Sequence, residues 1–364
     1  MGWRGSSFTI VLVILGAGLA VQGCGPLVAT PLPPAHAFMK GMTEAGYSSN
    51  VFESATMQPA LEELHRDGVD WLSVQVGWYQ NTDTSTHIFP DPKETPTDAS
   101  LVKLIRLAHQ MGMRVFLDPF INANRGNAWQ ADFKPTSVSD WFHSYDQYLI
   151  HYAQIAQAQK VDLLAIGDEF DTLDDVPSFQ PYWIHAIQLV HRYYKGPVTY
   201  GADYVHYRQV TFWNQLNVVG LDAYFPLSNA PHPSIAVLSA SWRTLATQIA
   251  RWRKNTGLNK KPFVVTELGY YSGQGAAAEP GTWTPSTPVD LALQARLYQA
   301  TFQSLYREPM VSGLFWFWWA NPSNPDWLGG PRDNGYTPRN KPAEAVLRQF
   351  FTKPRQPFEG STDG

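Results

Sequence analysis

Two glutamates each end an apolar run of strand length, at positions where their carboxyl groups could act on one substrate. Glu169 closes the run VDLLAIGDEF (161–170), and Glu267 lies within PFVVTELGY (262–270). Buried parallel strands are near-continuous apolar runs, so both glutamates are predicted at the C-terminal rim of a sheet, where barrel enzymes place their chemistry. A single rim glutamate is more often a helix cap or a solvated charge. These two are 267 − 169 = 98 residues apart, which allows three β/α units and predicts the fourth and seventh strands of an eightfold barrel.

Such a pair fits retaining glycoside hydrolysis. One carboxylate attacks the anomeric carbon while the other group protonates the leaving oxygen, and the two groups lie about 5–5.5 Å apart. We predict that Glu169 is the acid/base, with a pKa raised by neighbouring negative charge and partial burial. Glu267 is then the nucleophile, kept ionised by hydrogen bonds. This chemistry needs no cofactor.

Alternating strand and helix signals predict the elements that position the glutamates. The strand candidates are residues 38–42, 71–76, 114–119, 161–167, 197–202, 218–224, 262–267 and 313–318. Segments with helical spacing lie between and after them, at 57–66, 98–111, 141–159, 182–194, 235–255, 289–307 and 342–351, and 204–216 is a weak helix. This order predicts an α/β fold, a single-domain (β/α)8 TIM barrel. A doubly wound open sheet is the alternative, although no Gly-rich phosphate loop follows the first strand.

The N-terminal residues predict export and a lipid anchor. An uncharged apolar run at 8–21 is too short to span a bilayer, which takes about 20 residues, but it suits a signal peptide. Residues 20–24, AVQGC, resemble a bacterial lipoprotein signal, and Cys24 is the only cysteine. An ordinary signal peptide cut near 35–37 is the alternative. The expected organisation is a signal peptide (1–23), a Pro-rich tether (24–37), a catalytic barrel (38–352) and a disordered tail (353–364). The exported protein is expected to be anchored to a bacterial membrane, at the cell surface or on a periplasmic face.

Composition narrows the set of partners. The net charge of 27 − 31 = −4 argues against nucleic acid, which calls for a basic patch. Aromatic residues make up 14% of the chain, and indole and phenol rings can stack on the flat faces of sugars. The sequence contains neither HxH nor HExxH, so a metal site has little support. The expected partners are a polysaccharide or oligosaccharide and, through the anchor alone, a membrane, and we expect a monomer.

Six segments resemble glycoside hydrolase family 113. They are KGMTEAGY (40–47), GVDWLSVQVGWYQ (68–80), 95–119, GLDAYFPL (220–227), 263–280 and YTPRNKPA (336–343), in this order. The family belongs to a clan of retaining (β/α)8 glycosidases and is associated with β-mannanase activity. The resemblance implies that Glu169 is the acid/base and Glu267 the nucleophile, acting on a β-linked, mannan-type polysaccharide. The competing hypothesis is a sugar-binding lipoprotein that keeps the barrel but does not catalyse.

Further side chains are candidates for substrate contact. Tyr224 matches the clan position whose hydroxyl holds the nucleophile. In GLFWFWW (313–319), a period of two puts Trp316 and Trp318 on one face. One of these indoles should form the floor of the subsite that holds the reacting sugar. The candidates near the ends of the first two strands are Lys40, Trp78 and Tyr79. Packing in the core is the alternative role for each.

Two positions depart from the clan pattern. Clan members commonly carry Asn before the acid/base, where it donates to the sugar 2-hydroxyl, but this chain has Asp168. An ionised aspartate accepts but cannot donate, and its charge would raise the pKa of Glu169. A capping role is the alternative for Asp168. The third strand ends in LDPFIN (117–122), with Asp118 and Phe120 where the resemblance leads us to expect a basic residue and a histidine, which weakens the assignment to mannan.

Overall fold

Eight parallel strands close into a barrel. The computed structural model describes residues 38–123, 128–283, 285–319 and 329–359. The strands are β1 (Met39–Gly46), β2 (Trp71–Gln80), β3 (Arg114–Ala123), β4 (Leu163–Asp168), β5 (Val198–Asp203), β6 (Val219–Asp222), β7 (Phe263–Leu268) and β8 (Val311–Trp316). Each strand pairs with the next, and β8 returns to pair with β1. The prediction of a (β/α)8 barrel is therefore confirmed.

Helices surround the barrel. They are α1 (Met57–Arg66), α2 (Asp98–Gln110), α3 (Val138–Gln159), α4 (Asp171–Asp174), α5 (Gln180–Tyr193), α6 (Ile235–Asn255), α7 (Leu291–Gln303) and α8 (Pro342–Phe351). Local signals fix several ends: the hydroxyl of Thr97 accepts from the backbone N–H of Ser100 at the start of α2. The weak helix expected at 204–216 is only a 3₁₀ turn, Trp213–Gln215. None of the described helices is long and apolar enough to cross a membrane.

Apolar side chains fill the lower part of the barrel. The buried inner cluster consists of Met39, Trp71, Phe116, Leu163, Ala165, Val218, Val264 and Phe315. Gly41 is required there, because a Cβ at this position would lie 2.1 Å from the ring of Phe315. A larger apolar layer lies between the strands and the helices. Because this inner cluster fills the lower barrel, the polar side chains that can act on a substrate lie above it, at the C-terminal ends of the strands.

The residues after α8 are ordered where the structure describes them. The guanidinium of Arg355 lies over the ring of Phe38 and donates to the carbonyl of Tyr306. The backbone N–H of Phe358 donates to the carbonyl of Arg307 at 2.8 Å. The expectation of disorder is therefore wrong for 353–359, because these contacts tie the segment to the N-terminal side of the barrel. Cys24, the predicted signal peptide and the tether lie outside the described residues.

Candidate active site

A cavity of about 1130 Å³ opens at the C-terminal ends of the strands. Small-molecule sites usually measure roughly 300–1,000 Å³, so this one has room for more than a single small ligand. Glu169 and Glu267 both line it, although 98 residues separate them in the chain. The fold has thus brought the two predicted carboxyls to one compartment.

Strand register sets the neighbours in the floor of this cavity. Gln75 of β2 lies opposite Asp118 of β3, and Asp222 of β6 lies opposite Glu267 of β7. Parallel neighbours lie close enough for their side chains to interact. Asp118 and Glu267 therefore each have a polar neighbour on the preceding strand.

Gly201 of β5 makes room for two of the acids. Its position opposite Asp168 of β4 brings the two backbones together. A Cβ at residue 201 would lie 2.6 Å from Oδ2 of Asp222 and 3.3 Å from Cβ of Asp168. The missing side chain consequently allows carboxyls of β4 and β6 to converge across β5.

Glu267 is held by a separate donor on each oxygen. The phenol of Tyr224 donates to Oε2 at 2.8 Å, and the amide of Gln75 donates to Oε1. The same amide also donates to Oδ2 of Asp118 at 3.2 Å. Burial raises the pKa of Glu267 to about 7, and the two hydrogen bonds oppose that rise because they stabilise the ionised form. The donors thus orient the carboxylate and favour its charge.

Glu169 follows β4 directly and has a different environment. Its φ of 48° is in the left-handed region, which is uncommon for glutamate. Oε2 accepts from the indole of Trp129 at 3.0 Å and from the amide of Gln130 at 3.4 Å. Burial raises the pKa of Glu169 well above its ordinary value, and the charges of Glu267 and Asp168 raise it further. This environment favours a protonated group that can act as an acid.

Three more carboxyls lie beside the pair. Burial and the charge of Glu267 raise the pKa of Asp118 to about 8. The pKa values of Asp168 and Asp222 are raised well above normal, with burial as the larger cause and neighbouring carboxylates as the next. Among the described residues, no group of three or more His, Cys, Asp or Glu side chains is arranged to hold a metal ion.

Most of the chain matches a known protein family. A model of Glycoside Hydrolase Family 113 matches residues 44–341. The chain belongs to glycoside hydrolase family 113. It is accordingly a glycoside hydrolase, as the sequence predicted.

Solved structures agree with the family assignment. A GH113 β-1,4-mannanase in complex form shares 25% identity at a TM-score of 0.77, covering 87% of this chain and 100% of its own. A GH113 β-mannanase from Alicyclobacillus acidocaldarius shares 24% identity at a TM-score of 0.76, covering 87% and 97%. A Faecalibacterium prausnitzii β-glucuronidase, 15% identical with a TM-score of 0.61 over 88% of this chain and 50% of its own, shares the fold alone. No curated protein matches the sequence.

Three predicted sugar contacts of this family 113 enzyme are wrong. Lys40 lies at the start of β1, at the opposite end of the barrel, and its ammonium donates to the carbonyl of Phe351. Trp78 points outward from β2, with its ring 5.6 Å from that of Tyr148 on α3. Trp316 is fully buried and stacks on Tyr298 of α7 at 3.8 Å. Each side chain faces a helix or the far end of the barrel.

Other predicted residues lie at the cavity or beside it. Tyr79, Asp168 and Tyr224 line it. Trp318 is 7% exposed, with its ring 5.3 Å from that of Trp283. Because β8 already ends at Trp316, the period-two argument does not extend to Trp318, and Phe317 lines the cavity. The roles of these residues in substrate binding remain predictions.

Sequence reasoning missed several groups of the enzyme's site. They are Gln75, Asp222, Trp129, Gln130 and Trp283. Gln75 carried a signal, because it is a polar residue within the apolar run of the second strand. Trp129, Gln130 and Trp283 lie in loops or turns and carried no such signal, because no local pattern shows which loop residues face the cavity.

Proposed function

We propose that this enzyme cleaves internal β-1,4 linkages of a mannan-type polysaccharide with retention of configuration. The observation that carries the proposal is the placement of Glu169 and Glu267 on one cavity, in environments that separate their roles. The β-mannanase names of the similar family 113 structures support the choice of polysaccharide.

The reaction proceeds in two displacements. Glu169 protonates the glycosidic oxygen while the carboxylate of Glu267 attacks the anomeric carbon, which gives a covalent glycosyl-enzyme and releases the aglycone. Glu169, now ionised, takes a proton from a water molecule, and that water attacks the anomeric carbon and frees Glu267. Before the attack, Tyr224 and Gln75 hold the two oxygens of the Glu267 carboxylate.

Cleavage within a chain is supported by aromatic side chains on two sides of the cavity. Trp129 follows β3 and is 45% exposed, and Trp283 follows β7 and is 52% exposed. Strands β3 and β7 are four apart in a ring of eight, so these indoles stand on opposite sides of the mouth. Sugar rings can stack on both, so that units on each side of the cut are bound.

The test of mechanism replaces Glu267 with Ala. Cleavage of mannan should fall by about a thousandfold or more. Azide should restore part of the cleavage and give a glycosyl azide of inverted configuration, because the small anion can enter the vacated position and attack the anomeric carbon. Glu62→Ala on the outer face of α1 is the control and should keep full activity. Activity of Glu267→Ala equal to that of the wild type would contradict the assignment.

The test of substrate compares mannan, glucomannan, xylan and β-glucan. Mannan or glucomannan should be cleaved fastest, with early release of mixed oligosaccharides as expected for internal cleavage. Release of a single small product from chain ends would contradict internal cleavage. Wild-type protein that cleaves none of these polysaccharides would oppose the substrate assignment.

We also propose that Cys24 carries a lipid and holds the enzyme on the extracytoplasmic face of a bacterial membrane. The support comes from the sequence: the apolar run at 8–21, the lipoprotein-like AVQGC and the absence of any other cysteine.

A further inference from the structure

Two adjacent residues of one connection donate to the carboxyl of Glu169. The indole N–H of Trp129 donates to Oε2 at 3.0 Å, and the amide of Gln130 donates to the same oxygen at 3.4 Å. Gln130 is 8% exposed and also donates to Asp168 at 3.3 Å. Both donors follow β3, whereas Glu169 follows β4. The proposed acid is therefore held by side chains of the neighbouring connection.

The segment that carries the indole is fixed by its own contacts. Phe133 is fully buried, with its ring 6.2 Å from that of Phe170, the residue after Glu169. The backbone N–H of Lys134 donates to the carbonyl of Asp83 at 2.9 Å. The connection is thus tied to both of its neighbours, and the indole has a firm support beside the acid.

The hydrogen bond to the acid does not use the faces of the indole. An indole N–H donates in the plane of the ring, so the two faces point away from the bond. Trp129 is 45% exposed and lines the cavity. A sugar ring can therefore stack on the same side chain that holds the acid.

The departing sugar is the unit that lies on this side of the cut. In the first displacement, the nucleophile and the leaving oxygen are on opposite faces of the anomeric carbon. Glu267 belongs to β7, and Trp283 follows that strand, whereas Glu169 and Trp129 lie across the mouth. The oxygen that Glu169 protonates joins the departing unit to the rest of the chain, so this unit comes within reach of Trp129.

We propose that Trp129 is a positioning residue for both partners of the proton transfer: its ring stacks on the departing sugar, and its N–H holds the carboxyl of Glu169 toward the glycosidic oxygen. The proton passes from Glu169 to that oxygen as the bond to the anomeric carbon breaks, and the sugar leaves as an alcohol. This inference rests on the proposed glycosidase function. It adds to that function a side chain that couples binding of the departing sugar to its protonation.

Two kinds of leaving group test the coupling. A sugar needs a proton to leave, whereas dinitrophenolate leaves as a stable anion. Trp129→Phe keeps a stacking ring but removes the donor. It should lower kcat/KM about tenfold for β-1,4-linked mannose oligomers, since one hydrogen bond to a charged group supplies that factor. For a dinitrophenyl β-mannobioside, kcat/KM should fall by less than about twofold, because this step needs no acid.

The pH profile gives a second readout. The N–H of Trp129 stabilises the ionised form of Glu169, so its removal should raise the pKa of Glu169. The alkaline limb of kcat/KM for mannose oligomers should consequently move to higher pH. A replacement that only loosened the connection would lower kcat/KM for both substrates and leave the limb in place. Trp129→Ala removes the ring as well, and should cost the oligomers about a further tenfold.

Trp283→Phe is the matched control, because it makes the same replacement on the exposed indole across the mouth. It can weaken binding, but it should leave unchanged both the ratio of kcat/KM between the two substrates and the alkaline limb. Melting temperatures show whether each variant is folded. Should Trp129→Phe fail to fold, Trp129→Leu also lacks the donor and should change the ratio and the limb in the same directions.

The outcomes separate this inference from the proposed function. Equal losses for the two substrates in Trp129→Phe, with an unmoved alkaline limb, would overturn the inference and leave the glycosidase in place. If mannose oligomers are not cleaved, the substrate assignment fails, and the same comparison uses oligomers and the dinitrophenyl glycoside of the polysaccharide that is cleaved. A wild type that cleaves no polysaccharide would overturn both proposals.

Discussion

Each oxygen of Glu267 has its own donor, and this arrangement controls the charge of the proposed nucleophile. Tyr224 lies just after β6 and Gln75 lies on β2, so the carboxylate is fixed from two directions. Two such bonds restrict its rotation and favour the ionised form. Both effects belong to individual side chains, and both can be measured by substitution.

The acid limb of the pH profile should lie near neutrality. Glu267 must be ionised to attack, and burial raises its pKa to about 7, so kcat/KM should fall as the pH drops below about 7. Glu169 must be protonated, and burial raises its pKa well above the ordinary value, so activity should decline again as the pH rises through that pKa. Because the two groups are coupled, the limbs report the pair. An acid limb near 4.5, the ordinary value for glutamate, would contradict this expectation.

Removing the phenol of Tyr224 should move the acid limb of the pH profile to higher pH. Tyr224→Phe takes one donor from the charged form of Glu267, which raises its pKa and lowers kcat/KM at pH 7 by roughly 10- to 100-fold. The measurement is kcat/KM against pH for both proteins. Tyr194→Phe is the control, because this buried phenol donates to the carbonyl of Val161, and its loss should affect stability alone. An unshifted limb in Tyr224→Phe would show that the bond does not tune the nucleophile.

Side-chain direction along a strand was predictable where the period of two was followed. On β2, Gln75 and Tyr79 share the parity that faces the cavity, and Trp78 has the opposite parity and packs against α3. The sequence therefore contained enough to separate Tyr79 from Trp78. It did not contain the position of Trp129, which follows the strand in a connection without periodicity.

The prediction that Lys40 contacts sugar failed because the first strand is longer than predicted. The predicted first strand ended at residue 42, which left Lys40 near the rim, whereas β1 continues to Gly46 and has Lys40 as its second residue. Polar residues such as Thr43 and Glu44 interrupt the apolar run, yet they are fully buried within the strand. Tertiary burial overrode the local polarity signal at this strand.

One buried lysine links the connections that follow β7 and β8. Lys341 is 5% exposed, and its ammonium donates to the hydroxyl of Ser272 at 2.8 Å, to Asp333 at 3.1 Å and to the carbonyl of Gly335 at 2.9 Å. Lys341→Met removes all three bonds and leaves the largely buried carboxylate of Asp333 without its cation. Unfolding free energy should drop by about 2–4 kcal/mol.

Denaturant unfolding measures this change. Lys93→Met, at an exposed position, is the control and should alter stability by less than about 0.5 kcal/mol. Equal stability of the two variants would mean that Lys341 does not link the connections. Because methionine keeps about the volume of the lysine stem, the loss of unfolding free energy in Lys341→Met reports the lost polar contacts.

At the scale of the whole molecule, repetition made the fold predictable. Each strand gave its own local signal, and all but one connection gave a clear helix signal, so eight strands in sequence predict closure without knowledge of any single contact. The charge of the cavity was not predictable in the same way. Its acids come from separate strands and loops, and only the register and Gly201 bring Asp168 and Asp222 together.

The proposed anchor gives a prediction for the whole protein. Cys24→Ser should abolish lipid incorporation and release the enzyme from the membrane fraction, because a single thiol carries the attachment. Labelling with a fatty-acid analogue and fractionation of cells measure both effects. A signal-peptide variant that keeps Cys24 but loses Arg4 is the control for export. Unchanged membrane association of Cys24→Ser would contradict the anchor at Cys24, and wild-type protein found free of the membrane would favour the ordinary signal peptide.

The left-handed backbone at Glu169 has a thermodynamic consequence. A non-glycine residue at such a φ costs of order 1 kcal/mol, and asparagine tolerates it better than glutamate. Glu169→Asn would relieve that conformation and also remove a carboxyl from a crowded group of acids. The inert protein should therefore melt at a higher temperature than the working enzyme, as calorimetry can show. Turnover and thermal resistance would then compete at a single backbone position.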